Sequence, residues 1–141
     1  MTLHSCSLES HTGLFEIVRM IKPDYLYHLG AQSFVSYGFE GEYATLDTNV
    51  GSTHALLSAV LKFVPHCRFY FAASSEIFGN AEISPQNEST PFNPRTMYGI
   101  SKLTGFQLGR AFRENKEIHS CTGILYNHES PRRGKEYVTQ K

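Results

Sequence analysis

Arg68-Phe69-Tyr70-Phe71-Ala72-Ala73-Ser74-Ser75-Glu76, followed after a Gly- and Pro-rich passage by Tyr98-Gly99-Ile100-Ser101-Lys102, is the stretch on which the reading of this chain turns. Arg68 to Ala73 is apolar and rich in β-formers, which predicts a short strand buried on both faces. It ends in two hydroxyls and a carboxylate. The second string predicts the opening of a helix, capped by Thr96 or Asn93. Tyr98 and Lys102 are about one helical turn apart and share a face, so the ammonium favours the phenolate. Hydroxyl, phenol and ammonium converging at a strand end make a site for proton transfer. Standing alone, the pair reads equally as a surface tyrosine with a lysine snorkelling beside it.

The chain alternates outward from this stretch in both directions. Upstream, Leu46, Val50, Leu57, Val60, Leu61 and Val64 recur at helical spacing and predict a helix over Tyr43 to Phe63, closed by Pro65. Before it, Tyr25 to Leu29 predicts a strand running into Gly30-Ala31-Gln32-Ser33, small residues suited to close approach of a ligand. Leu14, Ile17, Val18 and Ile21 predict an earlier helix from Gly13, capped by Ser10 or Thr12 and ended by Pro23-Asp24. Leu3 to Leu8 is read as a short strand. Downstream, Ser84 to Pro94 carries three prolines and predicts irregular backbone. Ile100, Leu103, Phe106 and Phe112 supply the apolar stripe of a helix over Tyr98 to Asn115. Cys121 to Tyr126 predicts the last strand, followed by Asn127 and His128.

Strand and helix in alternation predict an α/β domain with a parallel sheet and helices on both faces. Right-handed crossovers bring the strand carboxyl ends to one edge, which gathers Gly30, Ser74 and Asn127. A length of 141 residues suits one domain, 1–141, with 40% hydrophobic residues and 13% aromatics for a core. Lys+Arg and Asp+Glu balance at 13 each, so no basic field points to nucleic acid or an acidic membrane surface. No apolar run approaches the roughly 20 residues of a membrane span, and Met1-Thr2-Leu3-His4 lacks a signal-peptide pattern. Three scattered cysteines fit reduced thiols and a cytoplasmic location. The seven histidines and three cysteines show no zinc-ligand spacing, so no metal is expected. Neither a Gly-x-Ser-x-Gly elbow nor a Gly-x-x-x-x-Gly-Lys loop is present.

Several strings together carry a resemblance. They are Leu29-Gly30-Ala31-Gln32-Ser33, Asn49-Val50-Gly51-Ser52-Thr53, Ser74-Ser75-Glu76-Ile77-Phe78-Gly79, Pro85-Gln86-Asn87-Glu88-Ser89-Thr90-Pro91-Phe92, and Pro94-Arg95 through Tyr98 to Lys102. The last is Gly123-Ile124-Leu125-Tyr126-Asn127-His128-Glu129-Ser130-Pro131-Arg132-Arg133-Gly134. The chain resembles the extended short-chain dehydrogenase/reductases, and within them the GDP-mannose 4,6-dehydratase family, from about Leu3 to Lys141. The resemblance implies a partial Rossmann-like doubly wound sheet, NADP as cofactor and GDP-mannose or a related nucleotide-sugar as substrate. It implies Tyr98 as the base for the sugar C4 hydroxyl, Lys102 as the group that holds the phenolate and the nicotinamide ribose, and Ser74 as a hydroxyl bonded to the sugar. Glu76 is implied as the base at C5 that also helps expel the C6 hydroxyl. A C4 ketone acidifies C5, so a carboxylate suffices for that elimination. Leu29, Gly30, Ala31, Gln32, Ser33, Tyr43, His128 and Arg133 are implied as cofactor contacts, and Asn127 and Lys141 as contacts to the nucleotide-sugar.

Simpler roles stand beside these. His128 also suits local backbone hydrogen bonds, Arg132-Arg133 a solvated basic turn, and Glu76 a structural bond at a strand end. The sequence departs from the family pattern as well. No Gly-rich βα unit precedes Leu3, so the expectation is an internal piece lacking the first βαβ unit and the C-terminal substrate domain, with weak NADP binding and little activity. Ser7 stands where the family has an adenine-recognising Asp, Ser74 where near relatives have Thr, Ala73 for Ser and Phe34 for His; Asn49 follows the wider superfamily. Another nucleotide-sugar dehydratase, a 4-epimerase, or a non-catalytic dimerisation module remain alternatives. The family also implies a homo-oligomer paired through its two long helices.

Overall fold

The computed structural model describes residues 1–33 and 39–132, without the side chains of Phe39 and Glu40. In chain order it contains α1 (His11–Ile21), β1 (Tyr25–His28), α2 (Phe39–Phe63), β2 (Arg68–Ser74), a 3₁₀ turn (Ser75–Ile77), α3 (Met97–Lys116) and β3 (Ser120–Leu125). The strands form a parallel sheet in the order β1-β2-β3, with His28 opposite Phe71 and Ser74 opposite Leu125.

Local chemistry sets the boundaries. Ser10 caps α1 by accepting from the Gly13 amide at 3.3 Å, so the helix begins two residues before the predicted Gly13. Lys22 ends it in a left-handed conformation (φ 50°) and bonds back to the Val18 carbonyl, just ahead of Pro23. Thr96 caps α3 through the Gly99 amide at 3.0 Å. Leu3 to Leu8 is not a strand. Among the described residues no strand pairs with it, and the Ser7 carbonyl instead accepts from the Ser10 amide at 3.1 Å in the turn before α1.

Both crossovers step across the sheet in the same direction, β1 to β2 through α2 and β2 to β3 through α3. Right-handed crossovers in one direction lie on one face, and α2 packs against both α1 and α3. Among the described residues no helix covers the opposite face, where Tyr25 and Tyr27 are exposed and Tyr27 leans on Tyr70. The expectation of helices on both faces is corrected to that extent. The core joins Phe69, Phe71 and Ala73 of β2 to Leu57, Val60 and Val64 at the α2 end, with Leu14 and Val18 of α1. Each large side chain buried this fully contributes roughly 1.5–3 kcal/mol.

Two apolar stripes differ from the sequence pattern. In α2, Leu57, Val60 and Val64 are buried as the spacing predicts, but Leu46 and Val50 are half-buried and Leu61 is exposed. The buried face of the preceding turns is polar, carrying Thr45, Thr48, Asn49, Ser52 and Thr53. In α3, Leu103, Phe106 and Phe112 are half-buried and Ile100 is exposed. The buried line is Gly99, Lys102, Gly105 and Gly109. A Cβ on Gly105 would stand 2.3 Å from the Phe71 ring, so the missing side chain is what lets α3 lie close against β2.

Candidate active site

The carboxyl ends of all three strands open into one cleft of about 750 Å³. From the β1 end come Leu29, Ala31 and Ser33, from the β2 end Ala72 to Glu76, and from the β3 end Leu125 to His128. Thr96, Tyr98 and Lys102 of α3 close the wall. The sequence-predicted Leu29, Ala31, Ser33, Ser74, Glu76, Tyr98, Lys102, Asn127 and His128 therefore share one cavity. Three others do not line it. Gly30 sits at the back of its loop, where a Cβ would meet Leu8 at 3.1 Å. Gln32 points toward α2 and lines a separate recess with Ser7 and Thr48. Tyr43 is 66% exposed on α2. Arg133, Lys141 and Phe34 lie outside the described residues.

Lys102 is the electrostatic centre. It is 3% exposed, which rules out a snorkelling surface lysine. Nζ donates to the Ala72 carbonyl at 2.8 Å and lies 5.1 Å from the Phe71 ring centre and 5.6 Å from that of Tyr98. Burial pushes its pKa down to about 8. One bond to a carbonyl leaves an ammonium two further hydrogens for a ligand.

Ser74 and Glu76 are held by the 3₁₀ turn. The Ser74 hydroxyl accepts from the Glu76 amide at 3.3 Å, which fixes both at the end of β2. Gly99 packs on the Glu76 carbonyl, where a Cβ would come within 2.7 Å, and so seats the start of α3 beside that turn. The Glu76 carboxylate is exposed and makes no hydrogen bond with the described residues. A purely structural role at the strand end would need such a bond. As it stands, the carboxylate is available to a ligand.

Behind the cleft lies a buried polar network that hydrophobic periodicity does not reveal. Asn49 uses its whole amide: Oδ1 accepts from the Gln32 amide at 2.7 Å, and Nδ2 donates to the Gln32 carbonyl at 3.1 Å and to Ser101 Oγ at 2.9 Å. Ser101 in turn donates to the Tyr98 carbonyl at 2.7 Å. One side chain thus ties the loop after β1 to the turn of α3 that carries Tyr98 and Lys102. The Thr53 hydroxyl donates to the Asn49 carbonyl at 2.7 Å. His28 Nε2, 3.2 Å from the same hydroxyl, is therefore the donor in their contact. Burial, reinforced by the Lys102 charge, drops the His28 pKa to about 4. The only sequence signal for this network is the unusual run of small polar residues from Thr48 to Thr53 inside a long helix.

A parallel sheet with a ligand-sized cleft at its carboxyl edge, and a Tyr-x-x-x-Lys pair on the helix beside it, defines a Rossmann-like domain of the short-chain dehydrogenase/reductase class. Solved structures agree. RMD from Pseudomonas aeruginosa complexed with NADPH superposes with a TM-score of 0.85 and 26% identity, over 96% of this chain and 46% of that one.

Within that class the family is specific: residues 1–141 match the family model for GDP-mannose 4,6 dehydratase, and the chain belongs to that family. It is 42% identical to the GDP-mannose 4,6-dehydratase of Yersinia enterocolitica over 141 residues, 99% of this chain and 38% of that protein. It is 41% identical to the human GDP-mannose 4,6 dehydratase over 143 residues, again 38% of that protein. The chain thus spans a little over a third of the length of these relatives.

Proposed function

We propose that this chain forms the catalytic part of a nucleotide-sugar 4,6-dehydratase that acts on GDP-mannose with NADP, yielding the 4-keto-6-deoxy sugar. One observation carries the reading: the Glu76 carboxylate, which has no hydrogen-bond partner among the described residues, opens into the same cleft as Tyr98 and the buried Lys102. Oxidation and reduction alone need only the phenol and ammonium; a second, carboxylate base suits an elimination. The described residues fit the nicotinamide-ribose end of the cofactor, because Leu29 and Ala31 offer an apolar wall and Lys102 a buried cation with hydrogens to spare. Bound NADP supplies the hydride acceptor and donor.

The chain's own groups move the protons. Tyr98, as phenolate, takes the C4 hydroxyl proton, and the Lys102 charge stabilises that phenolate. Ser74 holds the same oxygen by a hydrogen bond. Once C4 is a ketone, Glu76 removes the acidified C5 proton; the C5–H pair forms the C5=C6 bond as the C6–O bond breaks. Glu76 returns its proton to the departing hydroxyl, which leaves as water. C6 would then take back the hydride that bound NADP received from C4. C5 would take a proton equivalent to the one Tyr98 removed, which restores the phenolate and gives the 4-keto-6-deoxy sugar. Asn127 and His128, which line the cleft from the β3 end, would contact the rest of the nucleotide-sugar and the cofactor. Arg133, Lys141 and Tyr43 keep the roles the resemblance implies.

The test is an assay with GDP-mannose and NADP of this segment placed in the full-length framework of a curated relative, read by mass spectrometry. Loss of one water from the nucleotide-sugar supports the reading, unchanged mannose overturns it, and an isomer of equal mass indicates epimerase chemistry. No helix among the described residues is long and apolar enough to cross a membrane. We read the chain as one cytoplasmic domain that self-associates through α2 and α3, where Leu61 and Ile100 are exposed.

A further inference from the structure

A second recess of about 390 Å³ adjoins the cleft, and the two share Ser75, Glu76 and Tyr126 as a common wall. Its far side is made by Gly79, Asn80, Gln86 and Arg95. Four separate chain segments are pinned together to form it. Gly79 adopts a left-handed conformation (φ 50°) with the Asn93 carbonyl packed against it, and any Cβ there would also meet the Arg95 stem at 3.1 Å. Asn93 Nδ2 donates to the Asn80 carbonyl at 3.2 Å, and the Asn93 amide donates to the Ile77 carbonyl at 3.0 Å. The Tyr126 hydroxyl donates to Gln86 Oε1 at 2.9 Å, while Gln86 Nε2 donates to the Ile83 carbonyl at 2.8 Å. Gln86 and Tyr126 are therefore committed to the wall.

Two donor groups in the lining are not. The Arg95 guanidinium makes no ion pair or hydrogen bond with the described residues, whereas Arg19 and Arg110 are both paired with glutamates. The Asn80 side-chain amide also has no partner among the described residues; only its carbonyl backbone is used. A planar, permanently charged fork beside a free amide matches the oxygens of a phosphate group. The one carboxylate in the lining, Glu76, stands on the wall shared with the cleft. It repels an anion placed against it, so the anion must sit on the Arg95 side.

We propose that this recess is an anion subsite for the diphosphate of the nucleotide-sugar, with Arg95 as its main charge contact and Asn80 as a second donor. The identity of the anion rests on the reading given under Proposed function; the subsite itself does not. A sugar ring at Glu76 and a diphosphate at Arg95 occupy the two cavities at once, across the ridge where they meet. Asn127, next to Tyr126, faces the same junction from the cleft side.

The experiment is a heteronuclear NMR titration of the labelled chain with inorganic pyrophosphate, then with GDP-mannose and with free mannose. Saturable shifts at the Gly79 and Asn80 amides and at Arg95 Nε–H are expected with pyrophosphate and GDP-mannose but not with mannose. Arg95→Gln should weaken both at least five-fold, Arg95→Lys should restore part of the loss, and Glu76→Gln should tighten pyrophosphate two-fold or more. Equal affinity in Arg95→Gln, or shifts spread over all basic residues without saturation, overturns the subsite. Pyrophosphate binding here, with GDP-mannose bound elsewhere or left undehydrated, upholds the subsite and overturns the substrate reading instead.

Discussion

His28 and Lys102 meet at one aromatic ring: the Phe71 centre lies 5.8 Å from the imidazole centre and 5.1 Å from the ammonium. Two basic groups buried this close cannot both be charged cheaply, and the structure keeps His28 neutral. Its folded pKa, about 4, lies below the ordinary value of 6.5. Between these values the unfolded chain binds a proton that the folded chain refuses, so stability falls as pH drops from 6.5 toward 4. The loss at the acid end is about 3 kcal/mol at most. Urea denaturation at pH 7 and pH 4.5 should show a smaller acid loss in His28→Gln than in the parent; equal losses would remove His28 as the cause.

Lys102 predicts a stability gain on losing function. Its folded pKa, about 8 against the ordinary 10.5, means that below pH 8 the folded state bears the whole cost of burying the charge, and that stability rises as pH climbs from 8 to 10.5. Lys102→Met keeps the stem and removes the charge, at the expense of the bond to the Ala72 carbonyl. A net gain of about 1–2 kcal/mol at pH 7 is expected, with proton transfer at Tyr98 lost. A lower melting temperature would contradict it.

Glu76 and Tyr98 separate two stages of the proposed reaction. Tyr98→Phe should slow formation of reduced cofactor, followed at its near-ultraviolet absorbance, by roughly 10²- to 10⁴-fold. Glu76→Gln should leave that first stage largely intact and block loss of water, so that reduced cofactor accumulates. The same defect in both variants would tell against distinct roles.

Asn49 should matter for stability far more than its polarity suggests. Asn49→Leu strands the Gln32 amide and carbonyl and removes a donor to Ser101. A loss of about 1–3 kcal/mol follows, together with faster hydrogen exchange at the Gln32 amide. Unchanged exchange there would show that the loop does not depend on this side chain.

The strand at Arg68 to Ser74 and the grouping of strand ends were legible because they depend on local pattern and on the handedness of crossovers. The polar half of α2 was not. Hydrophobic spacing assigns Leu46 and Val50 to the core, but Asn49, Ser52 and Thr53 hold those buried positions because their side chains find partners in the network around His28 and Gln32, and Thr45 because its hydroxyl bonds the Gly41 carbonyl of its own helix. The apolar stripe of α3 misled in the same way, with Ile100 exposed and Leu103, Phe106 and Phe112 only half-buried, since a helix can bury glycines when backbone proximity is what the packing needs. At the site, the end of β2 predicted Ser74 and Glu76 and the start of α3 predicted Tyr98 and Lys102, and all four line the cleft, whereas Gly30 and Gln32 share a motif with cleft residues yet do not line it.

The glycine line of α3 has a bearing on how mutations in this domain should be interpreted. Gly99, Lys102 and Gly105 are spaced three apart on one helix face, so the lysine's reach to Ala72 is set by two residues with no side chain of their own. A methyl group added at Gly105 drives the helix outward from Phe71, and the ammonium is drawn away from its carbonyl with it. Such a variant would still contain Glu76, Tyr98 and Lys102, yet behave in an assay as though the lysine proposed to support the phenolate had been shortened.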